Sequence, residues 1–178
     1  MKRKQLVQLL HAYNPTPEEA TFKEIILDFL TTSEHVFERS HCCGHITASS
    51  WLLNKDRTHA LLMHHKKLGR WFQLGGHCDG DTDTLAVAIK EAQEESGIHD
   101  IVCLNPEIFD IDIHWIPSNK NESGHYHYDI RYLLGVNSNE QVTQNTESNE
   151  LRWIGINETP PTNGRSVIRM FEKWKKLA

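Results

Sequence analysis

Apolar positions follow a helical rhythm at both ends of the chain and an extended rhythm between them. Leu6, Leu9, Leu10 and Tyr13 recur at helical spacing and predict a short amphipathic helix over about residues 4–13. Thr16, Pro17 and Glu19 then form a helix-start signal: a capping hydroxyl, a proline at the first helical position and a carboxylate completing a capping box. Phe22, Ile25, Ile26 and Phe29 supply that helix with one buried stripe. From residue 45 the pattern turns to short extended runs. His45–Leu53 and Ala60–His64 flank the polar stretch 54–58 and predict a hairpin. The run 71–74 leads into Gly75-Gly76, and a helix follows over about 83–96, stopped by Gly97. Strand-like runs return near 101–104, 109–116, 125–136 and 151–155. Past Pro160-Pro161, a helix over about 164–177 places Val167, Met170, Phe171, Trp174 and Leu177 on its apolar face.

A length of 178 residues suits one α/β domain with its own core. It divides into an N-terminal helical extension (1–42), a core (43–160) and a C-terminal helix (161–178). The net charge of −5 gives no basic footprint for a nucleic-acid polymer or a membrane surface. No apolar run is long enough to span a bilayer, and the basic start is followed by a stretch broken at Gln8 and His11, unlike a secretion signal. Cys42, Cys43, Cys78 and Cys103 contain no C-x-x-C pair. Reduced thiols in a cytoplasmic protein are the expectation. The oligomeric state stays open between monomer and homodimer. The count that stands out is 12 histidines.

The sharpest chemical signal lies on the helix before Gly97. At 100° per residue, Glu91, Glu94 and Glu95 fall within about 100° of one another, beside the apolar stripe of Leu85, Ala88, Ile89 and Ala92. Like charges at these spacings cost a few tenths of a kcal/mol per pair, and the helix dipole opposes them in its C-terminal half. A divalent cation would reverse the sign, because three carboxylates with carbonyls or waters make the hard oxygen shell of Mg²⁺ or Mn²⁺. Spacing alone leaves two readings open, that cation site and a solvated acidic face balanced by Lys90.

The preceding glycines narrow the choice. From Gly76 to Ile98 the chain resembles the Nudix box, the signature of the Nudix hydrolase family. Gly76, Glu91, Glu94, Glu95, Gly97 and Ile98 match in register, with Ala92 at the aliphatic position. Thr82 stands where the box has its first glutamate, and Lys90 replaces its arginine. The resemblance implies an α/β/α sandwich around a mixed sheet. It also implies metal-dependent hydrolysis of a phosphoanhydride, typically in a nucleoside diphosphate linked to another moiety, by a metal-activated water. By the same analogy Glu91, Glu94 and Glu95 hold Mg²⁺ or Mn²⁺ with a backbone carbonyl near Gly75-Gly76, and Lys90 pairs with a box carboxylate as a point charge rather than a bidentate fork. Asp81 or Asp83 could supply the charge that Thr82 lacks, though Asp83 also suits an N-cap. The box does not fix the general base; Glu147 and Glu150 are later candidates.

A second constellation lies downstream. Alternation places Asp110, Asp112 and His114 on one strand face, and His125, His127, Asp129 and Arg131 on one face of the next. The polar linker 117–124 suits antiparallel pairing of the two. Three readings stay open: an internally paired or solvated polar face; recognition of phosphate by His125, His127 and Arg131; and a second, transition-metal site using His77, His125 and His127. His41 to His45 looks metal-like only in composition. Arg70 and Trp71, just before the glycines, could flank a substrate. No G-x-S-x-G elbow, P-loop or dinucleotide glycine motif is present. Beside a hydrolase acting on a small phosphorylated substrate, the alternative is a catalytically weakened Nudix-fold module that binds a nucleotide without turnover.

Overall fold

The central strand of the sheet is buried along its whole length, and everything else is arranged about it. The computed structural model describes residues 3–118, 120 and 123–177, so part of the polar linker lies outside the described residues. Helices α1 (Arg3–Ala12) and α2 (Pro17–Thr32) lead into strands β1 (Gly44–Leu53), β2 (His59–His65), β3 (Arg70–Phe72) and β4 (Leu74–His77). Helix α3 (Thr84–Ser96) is followed by β5 (Ile101–Ile116), β6 (His125–Val136), β7 (Ser148–Gly155) and helix α4 (Arg165–Lys175). Pro17 opens α2, and the Glu19 carboxylate accepts the Thr16 amide at 2.8 Å.

The sheet runs β3-β2-β1-β6-β5, with β4 beside β1 and β7 beside β2. The hairpin expected of β1 and β2 pairs only at its turn, where Leu53 faces Ala60. Beyond that point the strands part: β4 takes the edge of β1, from Ser50↔Leu74 to Thr47↔His77, while β3 and β7 flank β2. On the other edge of β1, β6 runs parallel, which makes the sheet mixed. The two strands expected near 101–104 and 109–116 are one strand, β5, whose register on β6 slips between Cys103 and Asp110. No helix among the described residues is long and apolar enough to cross a membrane.

Helices cover both faces, as the α/β/α reading requires. Ile46, Ala48 and Leu52 of β1 pack with Val87, Ala88 and Ala92 of α3 and with Leu6, Leu10, Ile26 and Leu30 of the N-terminal helices. Trp51 and Leu53 point the other way, into Val167, Met170, Phe171 and Trp174 of α4. Each fully buried large side chain contributes about 1.5–3 kcal/mol. Two expected core positions are corrected: α4 ends before Leu177, which is 65% exposed, and Ile25 lies off the buried stripe of α2 at 43%.

Between Trp51 and the N-terminal end of β1, the α4-facing side of the sheet is charged and buried. Arg131 is 1% exposed and contacts Asp129 at 2.7 Å, Asp110 at 2.9 Å and Asp112 at 3.3 Å. Thr47 and Ser49 donate their hydroxyls to Asp129 at 2.9 Å. Arg169 of α4 forks onto Asp110 with two contacts of 2.9 Å, and Lys173 reaches Asp110 at 2.9 Å and the fully buried Glu19 at 2.5 Å. Glu19 also accepts the Ile111 amide of edge strand β5 at 3.2 Å, so α2 is tied to the sheet through a charge. Burial works to raise the Glu19 pKa, but hydrogen bonds from Lys173, Tyr13 and Thr16 outweigh it and hold the carboxyl at about 2. Asp112 is likewise held low: Arg131 and His114 overcome its burial.

Breaking one partner of a buried ion network leaves uncompensated charge, at a cost of about 3–5 kcal/mol. Arg131→Leu should therefore lower the urea midpoint by that equivalent, and an unchanged midpoint would contradict the network. Because the Glu19 pKa is depressed on folding, its contribution is complete above the unfolded value of about 4.3 and is lost as pH falls toward about 2. That contribution is on the order of 3 kcal/mol. Unfolding free energies measured between about pH 5 and pH 2.5 should fall steeply for the parent chain and less so for Glu19→Gln.

Candidate active site

Helix α3 begins and ends where its sequence says. The Asp83 side chain caps it by accepting the Ala86 amide at 3.1 Å, and Asp81 accepts the Asp83 amide at 2.9 Å. At the other end Gly97 adopts φ 72°, and its amide donates to the Gln93 carbonyl at 2.9 Å. A side chain there would be strained by that left-handed backbone and would press on Thr143. Between these limits the buried face of α3 fixes its rotation, and the rotation brings Glu91 and Glu95 to β4 with Glu94 on the exposed side.

The carboxylates meet the glycine pair. A Cβ on Gly76 would lie 2.6 Å from the Glu91 Cδ, so only glycine leaves room for that carboxylate against the strand. The Gly75 amide donates to Glu95 at 2.8 Å, and Glu95 is only 6% exposed. Burial raises the Glu95 pKa to about 8; the charges of Glu91, Glu147 and Glu94 add to this, and the Gly75 hydrogen bond opposes it. Glu91 is raised as well, by burial first and by Glu94 and Asp79, against Lys90. Glu94 is exposed, with Lys90 3.5 Å away; Lys90 also lies 3.6 Å from Glu91. The pairing expected of Lys90 is thus formed from the surface, by an ammonium that is 62% exposed.

Such a set fits a hard divalent cation. All its donors are oxygens, two of the three carboxylates are pushed toward their neutral forms, and the lysine paired with Glu91 and Glu94 is solvated. Among the later candidates, Glu147 is exposed and its charge acts on Glu95, whereas Glu150 lies opposite His64 in the β2–β7 ladder.

On the other face of β4 stands an imidazole cluster. In the antiparallel β5–β6 ladder, Asp110 faces Arg131, Asp112 faces Asp129 and His114 faces His127. Parallel pairing puts His45 beside His127, and β4 puts His77 opposite Thr47. Ring nitrogens of His45, His77 and His127 all lie within 4.8 Å of one another. His125 joins through its Nε2, 3.2 Å from the His127 Nε2. Burial lowers the His45 pKa to about 4, with His77 and His125 adding to the effect. Burial also lowers His127 to about 2, with His114, His77, His45 and His125 adding to it.

This geometry removes Arg131 from the phosphate reading of the strand pair. Arg131 spends its guanidinium on three buried aspartates, and His127 is held uncharged, so neither presents a cation to an anion. Arg70 is not brought to the carboxylates; with Trp71, His64 and residues 161–163 it lines a surface groove of about 440 Å³. His45 was missed. Its residue type was visible, but its company depends on the parallel β1–β6 pairing, which joins segments some 80 residues apart and leaves no local signal.

The NUDIX domain matches residues 44–174, which is most of the chain. Comparison with curated proteins gives no match. Among solved structures, a C. elegans Ap4A hydrolase in a binary complex superposes with TM-score 0.59 at 16% identity, over 74% of this chain and 96% of that one. A NUDIX-family hydrolase from Clostridium perfringens gives 0.58 at 24% identity, over 75% and 98%. A UDP-X diphosphatase gives 0.54 at 12% identity and covers 99% of this chain and 96% of its own, so its likeness takes in the N-terminal helices as well. At these identities the superpositions speak for the fold, while the domain match carries the membership. The chain belongs to the NUDIX domain family.

Proposed function

We propose that the chain hydrolyses a phosphoanhydride bond of a nucleoside diphosphate linked to another moiety, with Mg²⁺ or Mn²⁺ held by Glu91, Glu94, Glu95 and the backbone of Gly76. The observation that carries this is the buried Glu95, which accepts the Gly75 amide beside two further carboxylates and has no buried cation to match it among the described residues. An ion held by these carboxylates would supply charge neutralisation of the diphosphate, polarisation of the P–O bond and a lowered pKa for the attacking water. Glu95, fixed by the Gly75 amide, orients one donor, and Glu91 supplies a second across the Cβ-free surface of Gly76. Lys90 holds Glu91 and Glu94 from the solvent side. Glu147, whose charge already acts on Glu95, is the general base favoured over Glu150. The relatives named for Ap4A and for UDP-linked substrates suggest where to search, namely among dinucleoside polyphosphates and nucleotide sugars. Thr82, in place of the first box glutamate, favours one second reading, a nucleotide-binding module with weakened turnover.

A screen of nucleoside triphosphates, dinucleoside polyphosphates, ADP-ribose and nucleotide sugars, run with Mg²⁺ or Mn²⁺, should find a hydrolysed substrate. Glu94→Gln and Glu95→Gln should each lower turnover by more than about 100-fold while leaving the unfolding transition in place. Rates unchanged in both variants would remove the carboxylates from the mechanism; nucleotide binding without hydrolysis in the parent chain would establish the module. Metal binding must displace the Glu95 proton, because its pKa of about 8 leaves the carboxyl neutral near neutrality. Apparent Mg²⁺ affinity should therefore rise with pH and level off above about 8, a profile that calorimetric titration in buffers of different ionisation enthalpy resolves.

A further inference from the structure

We propose that His45, His77 and His127 bind one transition-metal ion of the Zn²⁺ class, at a site separate from the carboxylates of α3. Their ring nitrogens already lie within 4.8 Å of one another, donated by three different strands, β1, β4 and β6. His45 is 1% exposed, and neither of its ring nitrogens has a hydrogen-bond partner among the described residues. A buried imidazole with both nitrogens unmatched is an exception in folded chains, and a metal bond resolves it.

His125 supplies an independent sign. Its Nδ1 lies 2.8 Å from the Ser123 carbonyl, so Nδ1 carries the proton and Nε2 keeps its lone pair. That is the arrangement in which a ligating histidine is oriented by an outer carbonyl. The Nε2 atoms of His125 and His127 stand 3.2 Å apart. Two nitrogens on one tetrahedral zinc, with bonds of about 2.0–2.1 Å, stand about 3.3–3.4 Å apart. His125 thus stands beside the His127 end of the three-histidine group.

Donor type separates this site from the one on α3. Nitrogen ligands select Zn²⁺ and its neighbours, whereas the glutamates suit Mg²⁺ or Mn²⁺. His77 follows Gly76 directly and lies on the opposite face of β4. An ion there would clamp the end of β4 to β1 and β6, immediately behind the glycines on which the glutamates rest. The inference does not depend on the hydrolytic reading.

The test uses the full chain after chelator treatment. Co²⁺ should bind with one equivalent per chain and show the intense visible bands of tetrahedral coordination, displaced by Zn²⁺ and not by excess Mg²⁺. His77→Asn and His127→Gln should each weaken Co²⁺ at least about 10–100-fold, while Glu94→Gln leaves it intact. Should a histidine variant fail to fold, imidazole ¹⁵N NMR of the parent chain decides. One equivalent of Zn²⁺ should then shift His45, His77 and His127 among the 12 histidines. Absence of stoichiometric binding, octahedral bands, loss in Glu94→Gln, or unshifted histidines would overturn the proposal. The cluster would then be a set of imidazoles hydrogen-bonded to one another.

Discussion

Arg131 is the interaction on which the polar half of the sheet depends. A guanidinium buried without partners would be ruinous, and three aspartates buried without it equally so. Together, and joined by Arg169, Lys173 and Glu19, they form a nearly balanced group of four carboxylates and three cations. This group fixes three relationships at once. It sets the register of β5 on β6, seats α4 through Arg169, and ties α2 to the edge strand through Glu19. Such networks are weak sources of net stability and strong sources of uniqueness in this setting, because any slip strands a charge.

Beyond that group the charge balance fails, in two different ways, on the two faces of β4. Toward α3, three glutamates gather with, among the described residues, a solvated lysine paired to them, and the most buried is forced toward its neutral form. Toward α4, imidazoles crowd together, and burial favours the neutral forms of His45 and His127. The first imbalance asks for a hard cation and the second for a borderline one. Both sit against the same four-residue strand, where Gly76 leaves room for Glu91 and the Gly75 amide holds Glu95.

Much of this was legible from residues alone, and what was legible was local. The capping box of α2, the Asp83 cap, the Gly97 stop and the common face of Glu91, Glu94 and Glu95 all follow from periods of a few residues. So does the alternation that put Asp110 opposite Arg131 once the strands were paired antiparallel. What was not legible was long-range. Nothing near β1 announces that it runs parallel to β6, so His45 could not be added to the histidines. Nor could Arg131 be assigned to a buried network instead of a phosphate. Glu19 shows the same limit: a capping residue by its spacing, it is also an interior partner of Lys173, which lies at the far end of the chain.

The central claim is that the face of α3 is a cation site and not merely an acidic surface. Mn²⁺ binding followed by electron paramagnetic resonance tests it without reference to any substrate. Loss of the free-ion signal at stoichiometric Mn²⁺ in the parent chain, and its persistence when Glu91, Glu94 and Glu95 are all replaced by glutamine, is the expected result. Equal free Mn²⁺ in the parent and in a folded triple variant would contradict it.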